Sequence, residues 1–131
     1  MHDLIHPGIS MELEKVVEEK LTAKHVGSGR AEVLATPVLC TWMEEAAFLS
    51  VEPFLEKGYD TVGTEISISH MAATPVGMEV RVVSELTEIN GKLLVFKVKA
   101  YDQVDKIGEG VHKRAIVEQK KFITKTNQKG K

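Results

Sequence analysis

The 131-residue chain has one cysteine, Cys40, so no internal disulfide can form, and this fits a reducing, cytoplasmic setting. Its longest apolar runs, such as LLVF and AAFL, are four residues long, too short to cross a bilayer. The opening MHDLIHPG has no basic stretch leading into an apolar one, so nothing in it marks export. Neither sign of charge dominates: the formal net charge is −2, which gives no electrostatic case for nucleic acid. No CxxC, HExxH or glycine-rich phosphate loop occurs, and His2 and His6, four apart with no further ligands nearby, make a poor metal site. Repeats and linkers are also missing, so residues 1–131 read as one domain. Such a chain buries roughly two thirds of the surface its unfolded form exposes. The last twelve residues hold five lysines and no acid; residues 122–131 are expected to be a flexible basic tail able to touch an anionic ligand.

Hydrophobic residues at 43% and charged ones at 27% are what a globular core needs. Residues 9–21, ISMELEKVVEEKL, place Ile9, Leu13, Val16, Val17 and Leu21 at helical spacing, and periodicity alone predicts a helix there. The firmer helix starts at Thr36, expected to cap it, with Pro37 at its first position, and runs through VLCTWMEEAAFLSV toward Pro53. Val38, Leu39, Trp42, Met43, Ala46 and Leu49 share one broad face. Glu44, between Cys40 and Phe48, is embedded in a second apolar face, so the helix must be central. Glu45 beside it is read as solvated.

From Val62 to Ala72 the residues alternate, with Val62, Thr64, Ile66, Ile68, His70 and Ala72 on the covered face of a strand. Gly63 reads as the turn before that strand, or as a place where a ligand approaches the backbone. MEVRVVSEL, the Asn90–Gly91 hairpin signal, KLLVFKVKAYD and IGEGVHKRAIVEQ continue the pattern. Successive antiparallel strands and one nearly all-apolar helix define an α+β fold, a curved sheet wrapped around the helix, with a second copy covering what one sheet leaves open.

Thr36, Glu44 and His70 thus point into apolar surroundings. A hydroxyl needs a base to become a nucleophile, and an imidazole base needs its tautomer fixed, so the trio suits acyl transfer. Separately, each has a plain structural role: a cap, a hydrogen-bonded core histidine, an exposed acid. Cys40 is one turn from Glu44, which disfavours its thiolate.

VLATPVLCTWMEEAA, TVGTEISISHMAATPVG, AYDQVDKIGEGVHKRAIV and the closing KKF together resemble the hotdog-fold thioesterases similar to fluoroacetyl-CoA thioesterase. The resemblance covers most of the chain from about residue 22. It implies a dimeric hotdog fold with residues 9–23 as the first strand. It also implies an acyl-CoA substrate, active sites at the dimer interface, Thr36, Glu44 and His70 as catalytic residues, Gly63 at the thioester end of the substrate, and Arg114 as a substrate-binding arginine. No metal or cofactor is implied beyond the coenzyme A carried by the substrate, and no nucleic acid or membrane partner. Fluoroacetyl-selective relatives carry an aromatic lid before the catalytic threonine, whereas KHVGSGRAEVLAT has no Phe, Tyr or Trp, so a broader or different short acyl group is expected. The rival readings are a non-catalytic acyl-CoA or small-ligand binding protein on the same fold, and a purely structural dimer.

Overall fold

The computed structural model describes residues 2–130. Five antiparallel strands, β1 (Ser10–Val16), β2 (Tyr59–His70), β3 (Glu79–Asn90), β4 (Leu93–Tyr101) and β5 (Lys106–Glu118), form one sheet in the order β1-β3-β4-β5-β2. A one-turn helix α1 (Ala23–Val26), the long α2 (Thr36–Val51) and a C-terminal α3 (Gln119–Asn127) complete the chain. The sheet curls around α2, which buries Leu39, Trp42, Met43, Ala46, Ala47 and Val51 against Val82, Leu86, Leu94, Phe96 and Val98. Each buried Val, Leu, Met or Phe among them stabilises the fold by about 1.5–3 kcal/mol relative to exposure, the two alanines by less. This is the α+β hotdog architecture that the resemblance implies. No helix among the described residues is long and apolar enough to cross a membrane.

Residues 10–16 are a strand, as the resemblance implies and against the helical periodicity. Met11, Leu13 and Lys15 turn inward at period two, and the segment ends at Val16 before a short 3-10 turn at Glu19–Leu21. Pairing with β3, Leu13 opposite Val82, overrides the local pattern. Lys15 reaches Glu45 at 2.8 Å, so Glu45 is ion-paired rather than merely solvated. The β3–β4 hairpin turns on Gly91 and Lys92; Gly91 has φ +62°, the left-handed conformation that a two-residue turn requires at its first central position.

The alternation along β2 is broken. A bulge between Gly63 and Glu65 shifts the register, so Thr61 and Gly63 before it, and Ile66, Ile68 and His70 after it, share the helix-facing side, opposite Ile116, Arg114, His112, Gly110 and Gly108 of β5. Val62 and Thr64 therefore do not belong to the covered face expected for them. Gly63 lies inside the strand, not in a turn before it. Gly110 permits the tight curvature here: a β-carbon at that position would sit 2.1 Å from the Ser67 carbonyl oxygen. β2 is an edge strand, and Ser67 and Ser69 on it are exposed. The lysine-rich end, expected to be frayed, is helical over Gln119–Asn127, its first N–H donated to the Gly58 carbonyl.

Candidate active site

Thr36 does not cap α2. Ala35 occupies the cap position with extended backbone and no side-chain bond, Thr36 is the first helical residue and Pro37 the second. The Thr36 hydroxyl, exposed and released from capping, instead meets His70 at the end of β2, with Oγ1 2.6 Å from Nδ1. The other ring nitrogen of His70, Nε2, is buried without a hydrogen-bond partner among the described residues. Burial pushes the His70 imidazole below its ordinary pKa, opposed by hydrogen bonding with the Ala72 backbone. The ring is therefore neutral at pH 7 and able to accept a proton.

Beside this pair lies a cleft of about 310 Å³ walled by Ala23, Val33, Leu34, Pro37, Met71 and Ala72. The helix α1 that forms part of its rim is fixed by Thr22, whose hydroxyl accepts the His25 N–H at 3.2 Å, and it stops at Gly27, with φ +88°.

Glu44 lies elsewhere. Eight helical residues separate it from Thr36, about 12 Å along the axis. Its carboxylate is packed against Gly63: a β-carbon there would stand 2.8 Å from Glu44 Oε1, 3.3 Å from His112 Cε1 and 3.5 Å from Arg114 Nη1. Only glycine leaves room for the acid at this point of the strand. Arg114 is 7% exposed. It donates from Nε to Thr61 Oγ1 at 2.8 Å and from Nη2 to the Thr61 carbonyl at 3.0 Å, and its Nη1 lies 3.1 Å from His112 Nε2. Its guanidinium carbon is 5.7 Å from the centre of the Phe48 ring. Burial lowers the Arg114 pKa, and the charges of Glu44 and Asp60 oppose that.

The tautomer of His112 follows from its partners. Its Nδ1 is 2.8 Å from the Glu65 carbonyl, which can only accept, and its Nε2 faces a guanidinium, which can only donate. The ring is thus neutral with the proton on Nδ1. Burial lowers its pKa, and the Arg114 charge acts in the same direction.

The structure brings Thr36 to His70, and Glu44 to Gly63 and Arg114. It does not bring these two groups together within one chain. His112 and Thr61, which hold Arg114, were missed by the sequence reading. A signal existed for His112 only, in VHKRAI, where His112 and Arg114 occupy the inward positions of a strand whose next inward residue is Ile116. No cluster of metal-ligating side chains is present among the described residues.

Residues 17–120 match the family model for fluoroacetyl-CoA-specific thioesterases. The chain is 43% identical over 98 residues to fluoroacetyl-CoA thioesterase of Streptantibioticus cattleyicolor, an overlap of 75% of this chain and 70% of that one. It superimposes with a TM-score of 0.85 and 35% identity on a variant of a fluoroacetyl-CoA-specific thioesterase in complex with fluoroacetate and CoA, covering 90% of this chain and 99% of that one. A thioesterase superfamily member from Thermus thermophilus is 29% identical, with a TM-score of 0.88 over 95% of this chain and 92% of its own.

Proposed function

The chain belongs to the fluoroacetyl-CoA-specific thioesterase family, and from that membership we propose the details of its reaction: hydrolysis of a short acyl-CoA thioester to the free acid and CoA, at sites shared between two protomers. Thioester hydrolysis of acyl-CoA is the activity of the family; the acyl group, the assembly and the residue roles are our reading. The observation that carries it is the 2.6 Å contact between a free threonine hydroxyl and a neutral histidine beside a small cleft.

His70 is the base. In a covalent route it takes the Thr36 proton as Oγ1 attacks the thioester carbonyl; the C–S bond breaks, the CoA thiolate leaves and receives that proton, and water then hydrolyses the threonine ester. In a direct route, His70 takes the proton of a water that Thr36 positions. Rapid quenching of the wild-type enzyme and intact-protein mass measurement distinguish the two: an acyl adduct mapped to Thr36 supports the covalent route, and turnover with no adduct supports the direct one.

Glu44 serves the site of a second copy. Direct contacts tie α2 to β2 at Thr36–His70 and at Glu44–Gly63. Their midpoints are Cys40 on the helix and residues 66–67 on β2, which is an edge strand. A twofold axis at that level, pairing β2 with its copy, sets Glu44 and Gly63 of one protomer against Thr36 and His70 of the other. The carboxylate then orients His70 or activates water, and Gly63 and Arg114 line the thioester end of the substrate. The cleft beside Thr36 has small aliphatic walls and no Phe, Tyr or Trp. This supports a short acyl group without fluoroacyl selectivity. Thiol release measured across short, branched and aromatic acyl-CoAs tests the reading: turnover concentrated among short acyl chains is expected, and no release from any of them overturns it.

A further inference from the structure

Residues 71–78, which join β2 to β3, are neither helix nor strand, yet both reacting side chains are tied to them. His70 immediately precedes the link and hydrogen-bonds with the Ala72 backbone. Thr36 lies two residues past Leu34, whose N–H is donated to the Thr74 carbonyl at 2.9 Å, and Val33 pairs with Pro75 in an isolated bridge. Thr74 therefore joins the segment that ends in His70 to the segment that leads into Thr36. Met71 and Ala72 of the same link wall the cleft.

The Thr74 side chain turns away from that cleft. It is 0% exposed, and its hydroxyl is donated to Asp102 Oδ2 at 2.9 Å. Asp102 opens the turn between β4 and β5. Its Oδ1 accepts the Val104 N–H at 2.8 Å and the Asp105 N–H at 2.7 Å, while its own N–H is donated to the Asp105 carbonyl at 2.9 Å. One carboxylate oxygen thus shapes the turn, and the other is left to reach across to the link. Burial raises the Asp102 pKa, but the bonds with Asp105, Val104 and Thr74 outweigh it and hold the carboxyl below its ordinary value. Thr74 therefore donates to an ionised acceptor, the stronger kind of hydrogen bond. Just past the turn, β5 takes hold of the link at its other end, with the Met71 N–H donated to the Ile107 carbonyl at 2.7 Å.

Valine would fill the space of Thr74, so packing alone does not call for a hydroxyl there. We infer that Asp102 and Thr74 are positioning residues for the hydrolysis: their bond clamps the β2–β3 link to the β4–β5 turn and so sets the 2.6 Å approach of Thr36 Oγ1 to His70 Nδ1. Both act through the link and not on the substrate. A misplacement of about 1 Å at reacting groups costs as much as about 10²-fold in rate. The inference rests on Thr36 and His70 as the reacting pair and adds how the fold holds them at that distance.

The test compares T74V, T74S, D102A and the double variant T74V/D102A by steady-state kinetics and NMR. T74V removes the hydroxyl and leaves the Asp102 turn its own bonds, whereas T74S keeps the hydroxyl. In T74V and in D102A, kcat is expected to fall about 10- to 10²-fold with KM unchanged, because the reacting geometry is damaged and substrate binding is not. T74S should keep the wild-type kcat, and the double variant should be no slower than the slower single, since each removes the same bond. The nitrogen shift of His70 Nδ1, which reports its hydrogen bond with Thr36, should move in T74V and D102A and stay in place in T74S. Wild-type kcat in folded T74V or D102A overturns the inference whatever happens to Tm, as do multiplied losses in the double variant. Should T74V not fold, D102A, altered on a half-buried turn, carries the same test. Absence of thiol release by the wild type counts against the thioesterase reading itself; the His70 shift then decides alone, its movement in D102A supporting the clamp and its constancy overturning it.

Discussion

The Thr36–His70 pair and the Glu44–Arg114 cluster are built on opposite principles. At the first, an exposed hydroxyl and a half-buried ring share one hydrogen bond, and His70 Nε2 is left over. At the second, Arg114 makes two bonds to Thr61 and a third with His112, which is in turn fixed by the Glu65 carbonyl. The group that must exchange a proton is held by a single side-chain bond, and the arginine that must hold its charge in place is held by three. Substitutions at the two places should accordingly separate activity from stability.

The largest effect should come from His70→Ala, with kcat/KM down about 10²–10⁴-fold, the range for loss of a general base, and little change in Tm because the ring is half-exposed at a strand end. A large Tm loss there would erase the contrast. Arg114→Ala should do the reverse first. It strands the Thr61 carbonyl and His112 and leaves Glu44 beside an uncompensated space, so unfolding free energy should drop by about 3 kcal/mol, read by denaturant melts. Gly63→Ala sits between the two: the new methyl displaces the carboxylate, the flexible end of its side chain, so stability should change by about 1 kcal/mol or less while kcat/KM falls about tenfold or more. Glu45→Gln is the control one residue from Glu44. It loses only a partly exposed ion pair with Lys15, about 0.2–1 kcal/mol, and no activity.

The pH profile sharpens the same comparison. His70 acts while neutral, and burial holds its pKa below the ordinary 6.5. Activity should therefore persist as pH falls through 6.5 and be lost only below it, as the ring protonates. A limb at or above the ordinary imidazole value would contradict the burial of that ring.

Much of this site was legible because it violates pattern. Glu44 within an apolar helix, and His70 where a strand calls for an apolar residue, stand out in a single chain. The Thr36–His70 contact was less so, since Thr before Pro reads as a cap, and only the placement of Ala35 shows that the hydroxyl is free. The bulge at Gly63 was invisible: one extra residue inverts which side chains face inward yet leaves both halves of the strand alternating. The first strand was hidden for a different reason. Leu13, Val17 and Leu21 satisfy helical spacing, and only the partner strand β3 decides the matter. The polar residues at inward positions of VHKRAI point to His112, whereas Thr61 carries no local anomaly to mark it as part of the arginine's seat.

The central claim is that Thr36 and His70 of one copy work with Glu44 of another. Mixing the two inactive variants His70→Ala and Glu44→Gln after reversible dissociation measures this directly. Each hybrid dimer would contain one intact site and one doubly damaged site, so random reassortment should restore about a quarter of wild-type activity. Mixtures that stay as inactive as either variant alone, with hybrid formation verified by mass, would contradict it.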